Sequence, residues 1–246
     1  MYENHPNASM KYLKHNHADF ELKGKPALVL MHMQNNLVGA KGTAMPGWIP
    51  FAKPVIDASG MIDVCIKLKN LFHELGLPVI YVQADGNPFN GFVPEYGTMF
   101  EQIKKSPSNI SYISKEDRDY MWDVIEEMDF DPSRDLKLTN LMCNAFNDSG
   151  LEHALRAQGV DTIVWGGFSN QAAIYSSSIM AADCWFNNII PADATVVYLA
   201  PTEPGFDETT QEKITEAFVG FMEPQTSRVT DSETVMGKIR EKYGKN

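Results

Sequence analysis

Ala27-Leu28-Val29-Leu30-Met31, followed at once by the polar His32, is the stretch that decides the fold. Five apolar residues in a row, without alternation, describe a strand covered on both faces, as in a parallel sheet. Working outward, further strands are predicted at Leu77 to Val82, Leu136 to Leu141, Asp161 to Gly167, Asn188 to Ala192 and Arg228-Val229. Helical patterns fall between them. Ile56 to Leu75 offers Ile62, Ile66, Leu68, Leu71, Phe72 and Leu75 to one face, with Gly76 as its C-cap. Others are predicted at about Lys115 to Met128, Gly150 to Gln158, Gln171 to Trp185, Gln211 to Phe221 and from Ser232 onward. Strands alternating with helices imply a three-layer, doubly wound α/β fold: a mostly parallel sheet with helices on both faces.

In such sheets, sites form at the carboxyl ends of strands. That rule puts His32, Asp85 and the loop Phe168 to Gln171 on one rim. The long irregular stretch from His32 to Pro54 directly follows a buried strand, where loops commonly carry function. Residues 1–24 are polar and read as an arm that either wanders or wraps a neighbour; 25–246 read as a single domain.

Composition excludes several classes. A net charge of -11 disfavours nucleic acid and anionic membrane surfaces, which select basic patches. The three cysteines, Cys65, Cys143 and Cys184, form no CxxC pair, so neither a zinc site nor a disulfide framework is expected. A reducing, cytoplasmic setting fits them. No apolar run approaches the roughly 20 residues that span a bilayer, and Met1 to Phe20 has no signal-peptide core. No cofactor is expected. No metal is expected either, and His73 and His153 read as surface positions on helices.

Three separated stretches carry a family resemblance. They are Leu30-Met31-His32-Met33-Gln34-Asn35-Asn36-Leu37, then Asn140-Leu141-Met142-Cys143-Asn144-Ala145-Phe146, then Gly167-Phe168-Ser169-Asn170-Gln171-Ala172-Ala173, which runs on to Asp193-Ala194-Thr195. In order and spacing they resemble the isochorismatase-like (cysteine hydrolase) superfamily, over about Lys25 to Ile239. The resemblance implies a small-molecule site and a homo-oligomer. In the family's amidases an Asp activates a Cys that attacks an amide carbonyl, with a Lys assisting. Here those positions are His32, Ala173 and Asn140. Alanine has no nucleophilic atom, so a thioester cannot form there.

The residues that remain are polar. His32 reads either as an acid/base or as a neutral ring bonded to Asn140. Asn140 can orient a carbonyl but supplies no charge. The resemblance makes the backbone of Ser169, Asn170, Gln171, Ala172 and Ala173 a carbonyl-holding turn. Gln34 is a further candidate contact to substrate, and Trp48, Phe89, Phe146, Phe168 and Tyr175 read either as pocket wall or as core. Cys143, Ser169, Ser176 and Ser177 are the substitute nucleophiles weighed, against small-residue packing or backbone hydrogen bonding. Lys137 falls on the face of its strand opposite Asn140.

Two functions stay open. One is a thiol-independent hydrolase acting on a small polar carbonyl or enol-ether compound, with His32 as acid/base. The other is an inactive small-molecule-binding or scaffold protein of the same fold. An inactive partner subunit of an active paralogue is a weaker third.

Overall fold

The computed structural model describes residues 2–14, 17–39, 52–84, 115–140, 143–198 and 208–244. Six strands form one parallel sheet: β1 (Pro26–Met31), β2 (Val79–Ala84), β3 (Asp135–Asn140), β4 (Thr162–Gly167), β5 (Asn187–Pro191) and β6 (Arg228–Thr230), in the order β3-β2-β1-β4-β5-β6. Seven helices are described: α1 (Ala52–Ser59), α2 (Met61–Glu74), α3 (Lys115–Trp122), α4 (Leu151–Ala157), α5 (Tyr175–Asp183), α6 (Glu208–Gln225) and α7 (Ser232–Tyr243).

The pleat sorts the apolar runs into two layers. Leu28, Leu30, Val79, Tyr81 and Val164 face α1, α2 and α7, where Ile56, Leu68, Phe72 and Ile239 close the first core. Ala27, Val29, Met31, Ile80, Val82 and Trp165 face the other way, against Leu151, Ala181 and Met222 of α4, α5 and α6. Both sides of β1 are therefore buried, which is why its sequence does not alternate.

Three expected elements are revised. The helix predicted at about Lys115 to Met128 ends at Trp122 and is followed by a separate 3-10 turn, Glu126–Met128. The helix predicted from Ile56 to Leu75 is two helices, because Gly60 sits at φ 71 and breaks the run between α1 and α2. Ser59 completes the corner by donating its hydroxyl to the Ile56 carbonyl and accepting the Met61 amide. The helix predicted from Gln171 to Trp185 opens instead as a π-helical turn, Asn170–Ile174, before α5 begins.

The start of the long loop after β1 is ordered by pairing. Asn35 and Asn36 donate their amides to the carbonyls of Asp123 and Met121, and Ile125 donates to Met33. Gln34 clamps this segment to β2: its Oε1 accepts the Ala84 amide at 2.8 Å, and its Nε2 donates to Asn36 Oδ1 at 2.8 Å and to the Ala84 carbonyl at 3.3 Å. Gln34 is wholly buried. Gln34→Leu leaves the Ala84 amide unpaired, so a loss of about 2 kcal/mol is expected, read as a lower urea midpoint at unchanged slope.

The N-terminal segment docks on its own chain. A short 3-10 turn, Ala8–Tyr12, buries Met10 in the second core. Asn7 Nδ2 donates to the carbonyls of Thr195 at 2.7 Å and Asp193 at 3.4 Å. Lys14 pairs with Glu223 of α6 at 3.1 Å.

Candidate functional site

The strand order reverses between β1 and β4, and a crevice at the carboxyl end of such a reversal is where doubly wound sheets bind ligands. The register sets Met31 beside Gly167 and Ala84 beside Asn140. His32, the turn after β4 and the end of β3 therefore meet at one rim.

His32 leaves β1 with φ 51, a left-handed backbone uncommon outside glycine. Its amide donates to the Val82 carbonyl at 2.8 Å. Its ring meets Asn140, with Nε2 and Oδ1 3.3 Å apart. Asn140 Nδ2 donates to the Asn144 carbonyl at 3.0 Å, which turns the amide oxygen towards the imidazole. An oxygen accepts only, so the proton sits on Nε2 and the lone pair on Nδ1. Burial pulls the His32 pKa down to about 4, against the opposing pull of the Asn140 bond. At neutral pH the ring is uncharged.

The turn after β4 is built on Gly167. At φ 97, a side chain there would place its Cβ 2.2 Å from the Met31 carbonyl oxygen, so only glycine lets the two backbones approach. The Phe168–Ser169 peptide is cis. Phe168 then donates its amide to Met31 and stacks on Tyr198, with ring centroids 4.8 Å apart and planes at 16°. Asn170 donates its amide to the Val196 carbonyl at 2.8 Å, and Gln171 Nε2 donates to the Tyr198 carbonyl at 2.6 Å. Burial raises the Tyr198 phenol, with a Ser169 hydroxyl bond working the other way. The turn thus rests on residues 195–198. Ala173 comes next, 1% exposed and packed in the second core.

The substitute nucleophiles are otherwise engaged. Ser176 donates to the Ala172 carbonyl at 2.7 Å. Ser177 donates to the Ala173 carbonyl at 2.6 Å and accepts the Ala145 amide at 2.8 Å. Burial pushes the Cys143 thiol up, which keeps it protonated and a poor nucleophile. Lys137 pairs with Asp123 at 2.9 Å and lies over the Phe130 ring.

Several residues read as ligand contacts also make contacts within the scaffold. Gln34 is the β2 clamp. Phe146 packs edge-on against Trp165, centroids 6.4 Å apart. Tyr175 lies against Phe218 and Phe221 of α6, at 5.5 Å and 5.9 Å. His73, read as a surface position, is largely covered and bonded to Asp135. Trp48, Asp85 and Phe89 lie outside the described residues. Among the described residues no group of three or more His, Cys, Asp or Glu is placed to hold a metal ion. Sequence reasoning missed Asn144 and residues 196–198; the Asp193-Ala194-Thr195 motif pointed to the latter, since the chain beyond that motif returns beneath the site turn.

A reversal-point crevice on a parallel, doubly wound sheet is common to many α/β proteins, and comparison with known proteins gives this chain's lineage. The isochorismatase domain model matches residues 26–233, so the chain belongs to the isochorismatase family. An uncharacterised isochorismatase family protein, YecD of Escherichia coli O157:H7, is 27% identical over 163 residues, covering 64% of this chain and 81% of that protein. The fold is shared with a cysteine hydrolase from Pseudomonas syringae pv. phaseolicola 1448A (TM-score 0.66, 18% identity, 88% of this chain and 93% of that one). It is shared too with N-carbamoylsarcosine amidase from Thermoplasma acidophilum (TM-score 0.56, 19% identity, 85% and 97%).

Proposed function

We propose that this protein binds a small, uncharged polar carbonyl compound at the rim between β1 and β4 and does not hydrolyse it through a covalent intermediate. The observation that carries the reading is the trio itself: Ala173 beside a buried, neutral His32 whose Nε2–H is committed to Asn140. Position 173, in the turn that leads into α5, carries no nucleophilic atom, and none of the three residues is charged at neutral pH. A ring whose conjugate acid has a pKa of about 4 is a weak base and an almost absent acid at neutral pH. A ligand that only accepts and donates hydrogen bonds suits these groups better than an ion, which a dry neutral site would have to strip of water. A homo-oligomer in the cytoplasm belongs to the same reading, the three free thiols suiting a reducing compartment.

One observation favours a catalytic alternative. His32 keeps a lone pair on Nδ1, so thiol-independent hydrolysis or enol-ether cleavage with His32 as base has an acceptor to use. Both readings are tested by incubating the protein with a panel of small amides, ureas and enol ethers, with mass spectrometry and thermal shift as readouts. Binding without chemistry is expected: some compounds stabilise the protein and none is consumed. Turnover lost in His32→Asn, flat across neutral pH and falling below about pH 4 as Nδ1 takes its proton, would establish the alternative.

A further inference from the structure

His17 presents both ring nitrogens to acceptors. Its Nδ1 lies 2.9 Å from the Lys14 carbonyl oxygen and its Nε2 lies 2.9 Å from Asp231 Oδ2. A neutral imidazole has one hydrogen and one lone pair, so one of these contacts would set a lone pair against an oxygen. Only the ring carrying both hydrogens satisfies both. The alternative, a proton on Asp231, is disfavoured by its surroundings. Burial works against the Asp231 charge, but bonds from the Thr234 amide and hydroxyl, the Tyr2 hydroxyl and His17 outweigh it and hold the carboxyl below its ordinary range.

Among the described residues, the other groups facing this contact are few. Tyr2 stacks edge-on against both His17 and His5, with centroids 6.0 Å and 6.2 Å away. The Lys14 ammonium is turned to Glu223. Asp193 is buried nearby and accepts the Ser232 amide and hydroxyl, at 2.9 Å and 2.6 Å.

The same segment holds the site from behind. Asn7 donates to the carbonyls of Asp193 and Thr195, and the next three residues, Val196 to Tyr198, carry the Asn170 amide, the Gln171 side chain and the Phe168 ring. Arm, residues 193–198 and site turn are three layers in contact. We propose that residues 2–14 together with His17 are a proton-dependent strap: the doubly protonated ring of His17 fastens the arm to Asp231, and the fastened arm steadies residues 193–198 beneath the site turn. A ring that gives up one of its two hydrogens sets a lone pair against one of these oxygens, so the strap is firmer at lower pH and looser at higher pH.

The test needs no ligand, so it stands or falls separately from the binding proposal. Amide hydrogen exchange, read by mass spectrometry on the full chain, is compared near pH 5.5 and near pH 8, the two ends of the range an unperturbed imidazole spans. Rates are corrected for the intrinsic pH dependence of exchange. In the wild type, peptides covering 2–14 are expected to be about tenfold better protected at the lower pH, the scale of one charge-assisted hydrogen bond. Peptides covering 193–198 are expected to change in the same direction. His17→Ala removes the difference. Asp231→Asn also removes it while keeping an asparagine that can cap α7. Protection of 2–14 that does not change with pH, or a change that persists in both variants, overturns the strap. An arm that responds while 193–198 does not overturns its coupling to the site.

Discussion

Gly167→Ala is expected to cost roughly 3–5 kcal/mol, the range reserved for severe backbone incompatibility, and to leave little folded protein. The added methyl would stand 2.2 Å from Met31 O and 2.9 Å from Met31 N, and the φ of 97 is closed to L side chains. Neither can relax cheaply, because Met31 O accepts the Phe168 amide at 2.9 Å and β1 is buried on both faces. The neighbouring Gly166→Ala is the control. Its Cβ would meet the Leu30 Cδ2 at 3.1 Å and the Cys65 Sγ at 3.3 Å, side-chain atoms that can give. A cost of about 1–2 kcal/mol is expected there, as for modest overpacking. Urea unfolding of the two variants separates the cases. Equal midpoints would mean that the approach of β1 and β4 is not what the turn depends on.

Acidification gives the second large effect. His32 stays neutral in the fold with a pKa of about 4, against the 6.5 of a free imidazole. Between those values the unfolded chain binds a proton that the native protein does not, so stability falls as pH drops through that window and levels off below it. The loss attributable to His32 is about 3 kcal/mol, the free-energy equivalent of that gap. At neutral pH the term vanishes. Other carboxyl groups add their own acid slopes, so the quantity to read is the difference between wild type and His32→Asn, a replacement that tolerates the left-handed backbone at this position. The two unfolding free energies should draw together from about pH 6.5 to pH 4. Parallel curves would mean that the ring is not held neutral.

The sheet was legible because β1, β2 and β4 are buried on both faces and so write themselves as unbroken apolar runs. The rim at the carboxyl ends of the strands follows from strand alternation, whereas the reversal between β1 and β4 is seen only in the strand order of the fold. Helix boundaries were less legible: Gly60 is compatible with a tolerated helical glycine until its φ of 71 is known. At the site, the His32–Asn140 contact was one of the two readings open to the sequence. What the sequence did not disclose are contacts made across the fold. Gln34 spends its amide on Ala84, fifty positions away. Tyr175 turns to α6, and Asn7 reaches the backbone of Thr195. Each depends on which surfaces tertiary packing brings together, and no local periodicity encodes that.

The most direct measurement is the nitrogen NMR spectrum of the His32 imidazole in the intact protein at neutral pH, assigned by comparison with His32→Asn. The expected result is a neutral ring with its proton on Nε2 and a bare Nδ1, unchanged until the sample is taken close to pH 4. An imidazolium at neutral pH, or a ring protonated on Nδ1 with Nε2 bare, would contradict it. The first would give His32 a proton to donate at this rim, and the second would mean that Asn140 presents its amide hydrogens, not its oxygen, to the ring.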